Sequence, residues 1–472
     1  MSFTSVTYFL FVGISLLIYT IVPKRAKWCV LLGASAVYYV MAAGLRTLWL
    51  VAAILIVYGG GLLLGHLNDQ GKARRKAAAD KEEKKQIRKK YDAKKRAVVT
   101  VAVLGVFGLL IALKYVNFLG ESAYGIAGLF GSKSTYQPVQ ILLPLGISYY
   151  TLCAVSYVVD VYRGKYKPER NFFKLALFLS FFPQMTEGPI GKYEIMMPRL
   201  VEGHSFNFER DAQAVMRIFW GMFKKMVIAD RANLFVTGVF DNGDQAGSMV
   251  LLGTLLYTVQ IYCEFSGCMD IVCATGQLFG VEMQENFRRP IFSKTINEFW
   301  QRWHITLGAW IKEYVFFSVS LSKGLMNLSK HTRKKLNDYF ANLVPMTFAL
   351  FCVWFFNGIW HGASWKYVLY GLYYYILMMI GMYLRPVSDK LLHALHIAPE
   401  SKGFALFQMV RTFLIVNVGM MLFRCHTISQ WGQSLARIFT DFDGACLTNG
   451  TVLSLGNDWQ DFLIMGIGVL AL

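Results

Sequence analysis

Charge is scarce in this chain, and acidic charge scarcest: 16% of its 472 residues are charged, 29 acidic against 48 basic. A soluble domain carries about 25% charged residues, so a soluble protein of this length is excluded. There is no Walker loop, no dinucleotide fingerprint, no zinc-ligand spacing and no His-x-x-x-His pattern, so no familiar phosphate-binding or metalloprotease motif is present. Eight cysteines are scattered, most of them inside apolar blocks, where a thiol behaves as a small hydrophobe. Cys263, Cys268 and Cys273 are evenly spaced, but five-residue steps turn about 140° each on a helix. They do not share a face, so packing is the expected role and no metal site is predicted.

What the chain has in quantity is apolar length. Hydrophobic residues make up 55% of it, gathered in blocks over roughly 5–22, 28–43, 47–65, 97–118, 139–160, 171–187, 211–229, 249–280, 340–360, 365–384, 404–423 and 458–472. A span needs ~20 apolar residues, so these predict about 10–12 crossings and an all-α polytopic membrane protein. The first block lacks a basic leader and is followed by Lys24, Arg25 and Lys27, which reads as a retained helix. The last stops after 15 residues without a polar flank, the pattern of a helix cut short.

The segment Gly71–Arg96 holds thirteen Lys/Arg against four Asp/Glu, nearly half of the net +19. A nucleic-acid site is the sharper reading, but a short, helical, basic cytoplasmic loop over about 67–96, obeying the positive-inside rule and touching anionic headgroups, is the simpler one. Placing it inside puts Lys24, Arg25 and Lys27 inside and the N-terminus outside. The span 139–160 then delivers Arg163, Lys165, Lys167, Arg170 and Lys174 to the same side. The expected location is therefore the plasma membrane, multi-pass, with an extracytoplasmic N-terminus. The basic segment Lys323–Lys335 reads as a further cytoplasmic loop.

Over about 286–318 charges mix with aromatics, as in Asn297-Glu298-Phe299-Trp300-Gln301-Arg302-Trp303-His304. Polar backbone at membrane depth survives only when buried in protein or lining a cavity. Short re-entrant or half-buried helices around a polar pocket are expected there. Two histidines stand out, His304 in this segment and His361 in Asn357-Gly358-Ile359-Trp360-His361-Gly362, fifty-seven residues apart. Ionisable groups at membrane depth face a cavity and carry function by default. A histidine kept neutral by apolar walls suits a general base that takes a proton from an alcohol; the alternative is a histidine satisfied within a packed bundle. His66, His204, His331, His393, His396 and His426 fall near span ends or in loops, where structural roles are favoured. Glu298, Arg302, Lys312 and Glu313 are expected to pair with one another, and Arg302 or Lys312 could instead contact a donor phosphate. Asp160, Arg163, Glu264 and Asp270 are cavity candidates first and structural pairs second. Glu187, beside Gly188-Pro189, is a candidate for a substrate path, against plain helix termination.

These residues resemble the membrane-bound O-acyltransferase (MBOAT) family, in its bacterial alginate/peptidoglycan O-acetylation and D-alanyl transfer protein branch. The resemblance rests on Leu143 to Tyr150, Phe182-Pro183 with Glu187-Gly188-Pro189-Ile190, and Tyr262 to Gly267. It continues through Glu285 to Pro290, Glu298 to His304 and Trp360-His361-Gly362. Glu264 and Cys268 depart from the branch, which has an aspartate and an aromatic there.

The resemblance implies one membrane-embedded acyltransferase domain over 1–472, a bundle of about eleven spans with short half-buried helices around a central cavity. It implies His361 and His304 as catalytic residues, and we add Trp303, Trp360, Arg302, Glu298, Asn357 and Glu187 as expected substrate contacts. No permanent cofactor and no metal are expected. The donor is an acyl thioester, acetyl-CoA before a carrier-protein thioester, and the expected partners are the lipid bilayer, an extracytoplasmic acyl-accepting protein and a polysaccharide, with no nucleic acid. D-alanyl transfer toward teichoic acid is the alternative within the enzyme class. A proton-coupled transporter or flippase is the alternative outside it, although paired broken helices in two corresponding halves are missing.

Overall fold

The computed structural model describes residues 2–243 and 245–472. All regular elements among them are helical, and one isolated antiparallel bridge joins Phe287 to Trp303. The helical runs Lys24–Ala77, Lys81–Leu129, Gly247–Leu278, Asp338–His361 and Lys402–Arg424 are long and apolar enough to cross a bilayer. Trp365–Tyr383 and Arg385–Ala394 form a further pair bent by 54°, and Val6–Ile21 and Trp459–Ala471 are shorter apolar helices. Within the first run Gly44, at φ +56°, ends the helix Lys27–Ala43 and redirects the chain into Thr47–Ala77.

Most apolar blocks became helices of nearly the predicted extent, and the exceptions have local causes. The span predicted over 139–160 starts only at Ile147 and runs to Arg163. Pro138 and Pro144 cannot supply helix hydrogen bonds, and Gly146 stands in the left-handed region at φ +68° with its backbone against the Met185 carbonyl. Over 171–187 only Phe172–Ser180 is helical. Nine residues rise ~14 Å, too little to cross, and the chain turns at Phe181 with Pro183 behind it. The basic segment over 71–96 is helical, as expected, and it extends the two flanking helices. Thr47–Ala77 and Lys81–Leu110 meet at a three-residue turn, with Asp80 capping the second helix through Glu83 N at 2.7 Å. Residues 323–332 likewise form a helix, capped by Ser322.

The chain divides into two compact units. The first holds residues up to Arg217 with Val272–Gln284; the second holds Ile218–Ile271 with Glu285–Leu472. In the first, Tyr8, Tyr38, Phe182 and Phe279 are buried together; Tyr8 donates to Thr275 Oγ1 at 3.1 Å and Tyr19 to the Phe279 carbonyl at 3.0 Å. Asp160 is buried and ion-paired with Lys165 at 3.1 Å and Arg163 at 3.9 Å.

The core of the second unit gathers Phe235, Tyr257, Phe299, Trp303, Trp354, Tyr370, Tyr374 and Met420. Glu264 and Asp270 are ion-paired, with Lys225 and Lys224 respectively. Helices Asp338–His361 and Trp365–Tyr383 pack backbone to backbone: Gly358 lies against the Tyr367 carbonyl and Gly371 against the Trp354 carbonyl. A Cβ at either glycine would collide with main chain.

Candidate active site

The site lies wholly in the second unit and begins with a short ribbon. Arg288 N donates to the Arg302 carbonyl at 3.0 Å, and Ile305 N to the Asn286 carbonyl at 3.0 Å, on either side of the Phe287–Trp303 bridge. The Asn286 side chain locks the following turn, its Oδ1 accepting from Thr306 N at 3.0 Å and Thr306 Oγ1 at 2.7 Å. Between these bonds His304 is held at φ +49°, a conformation that costs a residue with a Cβ ~1–2 kcal/mol. It immediately precedes the helix Ile305–Ile311. Upstream, Thr295 caps Ile296–Arg302 through Glu298 N at 3.1 Å, and Glu298 reaches back to Lys294 N at 2.8 Å.

His304 is only 4% exposed, and neither ring nitrogen has a hydrogen-bond partner among the described residues. A buried polar group left unpaired costs roughly 1–3 kcal/mol, so this arrangement calls for a role. The ring is held by aromatic edges instead: Phe265 at 4.9 Å and 87°, and Trp360 at 5.7 Å. Burial among aromatic walls disfavours the charged imidazolium. The ring is therefore neutral.

His361 ends the 24-residue helix Asp338–His361. Trp360 (5.1 Å), Phe423 (5.3 Å) and Tyr370 (5.8 Å) meet its ring near right angles. Lys366 anchors the next helix beside it by donating to the Phe423 and Cys425 carbonyls at 3.1 and 2.7 Å. His304 and His361 line one cavity of about 410 Å³, with Trp303, Asn357, Asn297, Gln301, Lys312 and apolar walls from Leu307, Leu350, Val353 and Met378.

The structure thus gathers His304, His361, Trp303 and Asn357 on one cavity, with the Trp360 ring in contact with both imidazoles. Trp303 is stacked on Phe299 at 5.5 Å. Arg302 and Glu298 pair with each other and do not line this cavity; Arg302 faces a separate cleft with Lys224, Asp270, Arg288 and Arg289. Glu187 belongs to the first unit and is not part of this cavity. Sequence reasoning missed Asn286 and Thr306, whose only signal was an asparagine two residues before paired arginines. It also missed Phe423 and Tyr370, which reach His361 through tertiary packing and left no local signal.

The sequence model of the membrane-bound O-acyltransferase family matches residues 169–332. A probable alginate O-acetylase of Azotobacter vinelandii is 30% identical over 438 residues, 93% of this chain and 77% of that protein. A peptidoglycan O-acetyltransferase of Helicobacter pylori is 29% identical over 61% of this chain and 56% of its own length. A teichoic acid D-alanyltransferase of Bacillus subtilis is 26% identical over 61% of this chain and 70% of its own.

Proposed function

The chain belongs to the membrane-bound O-acyltransferase family, and on that footing we propose that His361 and His304 carry acyl transfer from a cytosolic thioester to an extracytoplasmic hydroxyl. The protein is an O-acyltransferase of the cell-surface polymer type. His361 takes the proton of the acceptor hydroxyl as its oxygen attacks the thioester carbonyl. The carbonyl oxygen becomes an oxyanion, and a neutral His304 donates its free N–H to it. The C–S bond then breaks, and the proton returns from His361 to the leaving thiolate, so that an ester and a thiol are formed. The carbonyl end of the Asp338–His361 helix lies beside the imidazolium formed in the first step and stabilises it.

The observation that carries this reading is the buried His304 ring, which keeps both nitrogens unpaired on a cavity shared with a second histidine. Aromatic packing holds the ring while leaving its polar atoms for substrate. The charge pattern supports an inward basic hairpin and an outward N-terminus, hence donor entry from the cytoplasm. Acetyl is the favoured acyl group, because the alginate-type relative is similar over 93% of this chain and the D-alanyl relative over 61%. The acceptor is a polysaccharide hydroxyl, reached directly or through an extracytoplasmic acyl-accepting protein.

His361→Ala tests the assignment. With the variant shown to be inserted in the membrane, base-releasable ester on the surface polymer is expected to fall to the level of cells lacking the protein. Ester at the wild-type level would overturn the assignment.

A further inference from the structure

The cavity has a direction. Its two histidines both meet the Trp360 ring, and two elements lead away from them side by side. From His304 the chain runs eight residues to Lys312, about 12 Å along the helix. From His361 back to Leu350 the lining covers eleven residues, about 16 Å. The Trp310–Phe356 stack at 5.6 Å and 17° shows that the two lie alongside each other. One end of the cavity is therefore marked by imidazoles and the other by Lys312, with apolar side chains between.

Among the described residues, Lys312 is the one Lys, Arg, Asp or Glu on this lining. It is exposed, and it has no ion-pair partner among the described residues. Arg302, the other cation near His304, is occupied by Glu298 and faces a different cleft.

Resting on the acyl-transfer reading above, the geometry points to Lys312 as the residue that binds the phosphate at the head of a phosphopantetheine arm, with the arm in the apolar stretch and its thioester at the histidines. Phosphate and sulfur in that arm are thirteen bonds apart, roughly 15 Å at the ~1.2 Å per bond of an extended peptide. That length exceeds the ~12 Å of helix rise between His304 and Lys312 by about 3 Å, a difference the lysine side chain spans. A lysine serves a phosphate as a point charge from a flexible stem, and an apolar passage suits the arm's methylenes. The same arm and phosphate occur in acyl-CoA and in acyl carrier proteins, so the site would be common to both donors.

Binding by the full chain in lipid nanodiscs tests this, with S-acetylpantetheine (no phosphate), S-acetyl-4′-phosphopantetheine and acetyl-CoA as probes. Lys312→Ala is expected to weaken the two phosphate-bearing probes about tenfold, to leave S-acetylpantetheine unchanged, and to be rescued by Lys312→Arg. Arg302→Ala should weaken all three probes alike or none. A Lys312→Ala loss that is equal for all three probes, or absent, would overturn the inference while leaving the histidine assignment to its own test. A loss for acetyl-CoA alone would also overturn it, by moving the contact to the nucleotide end. Wild-type protein that binds none of the probes would remove the inference together with the donor reading beneath it.

Discussion

His304 allows strain and chemistry to be separated with two substitutions. His304→Ala and His304→Gly both delete the imidazole, and they differ only in a Cβ at a residue fixed at φ +49°. The alanine retains the left-handed penalty of ~1–2 kcal/mol, which glycine escapes. Glycine in turn gives the unfolded chain more freedom, at a cost of ~0.4–1 kcal/mol. The balance leaves the glycine variant more stable by about 0.5–1 kcal/mol. For a unit of this size that is about 1–3 °C in melting temperature, which a thermal-shift series on detergent-solubilised protein can resolve. Transfer should fall in both variants by ~10²–10³, the usual cost of removing one donor to an oxyanion. An alanine variant as stable as the glycine one would refute the strain argument. Transfer that survives in either would refute the role assigned to the ring.

Two further outcomes follow from neighbouring contacts. Asn286→Ala strips the acceptor from two Thr306 donors in a buried turn, so a loss of ~2–4 kcal/mol in stability is expected, together with more than tenfold slower transfer, read by melting and by ester release from the same preparation. Asp241 binds Arg424 and His426, each at 2.8 Å, and Arg424 first, with His426 adding and burial opposing, holds its carboxyl below the ordinary carboxylate range. Its folded pKa is depressed, so the stabilisation is present above the unfolded value of ~3.9 and is lost as pH falls through the folded one. The melting difference between wild type and Asp241→Asn should therefore be present at pH 7, begin to shrink below about pH 4 and vanish only below the depressed folded value; a difference that persists there would rule out the ion pair as its source.

The long elements were legible because a bilayer span needs little more than apolar length, which can be read directly. Helices such as Asp338–His361 and Lys402–Arg424 lie within two residues of the apolar blocks that predict them. Length alone misled where backbone chemistry intervened, at Pro144 and Gly146 and again at Phe181 to Pro183. Hydropathy also could not show that the basic segment continues both flanking helices into a hairpin. At the site, His304 and His361 were visible as costly residues in apolar surroundings. Their surroundings were not visible, because Asn286, Phe423 and Tyr370 reach them through a ribbon and helix packing. Pairing rules did predict the Arg302–Glu298 ion pair, but not that this pair would turn Arg302 away from the cavity.

The crossing of Gly358 and Gly371 bears on how this site can open. With main chain against main chain, the helix carrying His361 cannot slide past its neighbour by a turn without driving larger residues into the contact. The histidine at its end is thus mounted on a fixed jaw. Freedom to admit and release substrate must come from the opposite side, the chain of short helices from Pro290 to Ser320 that carries His304 and Lys312. Cross-linking the Asp338–His361 and Trp365–Tyr383 helices at positions away from the two glycines should therefore leave turnover intact, whereas tethering the short helices to the Asp338–His361 helix should arrest it.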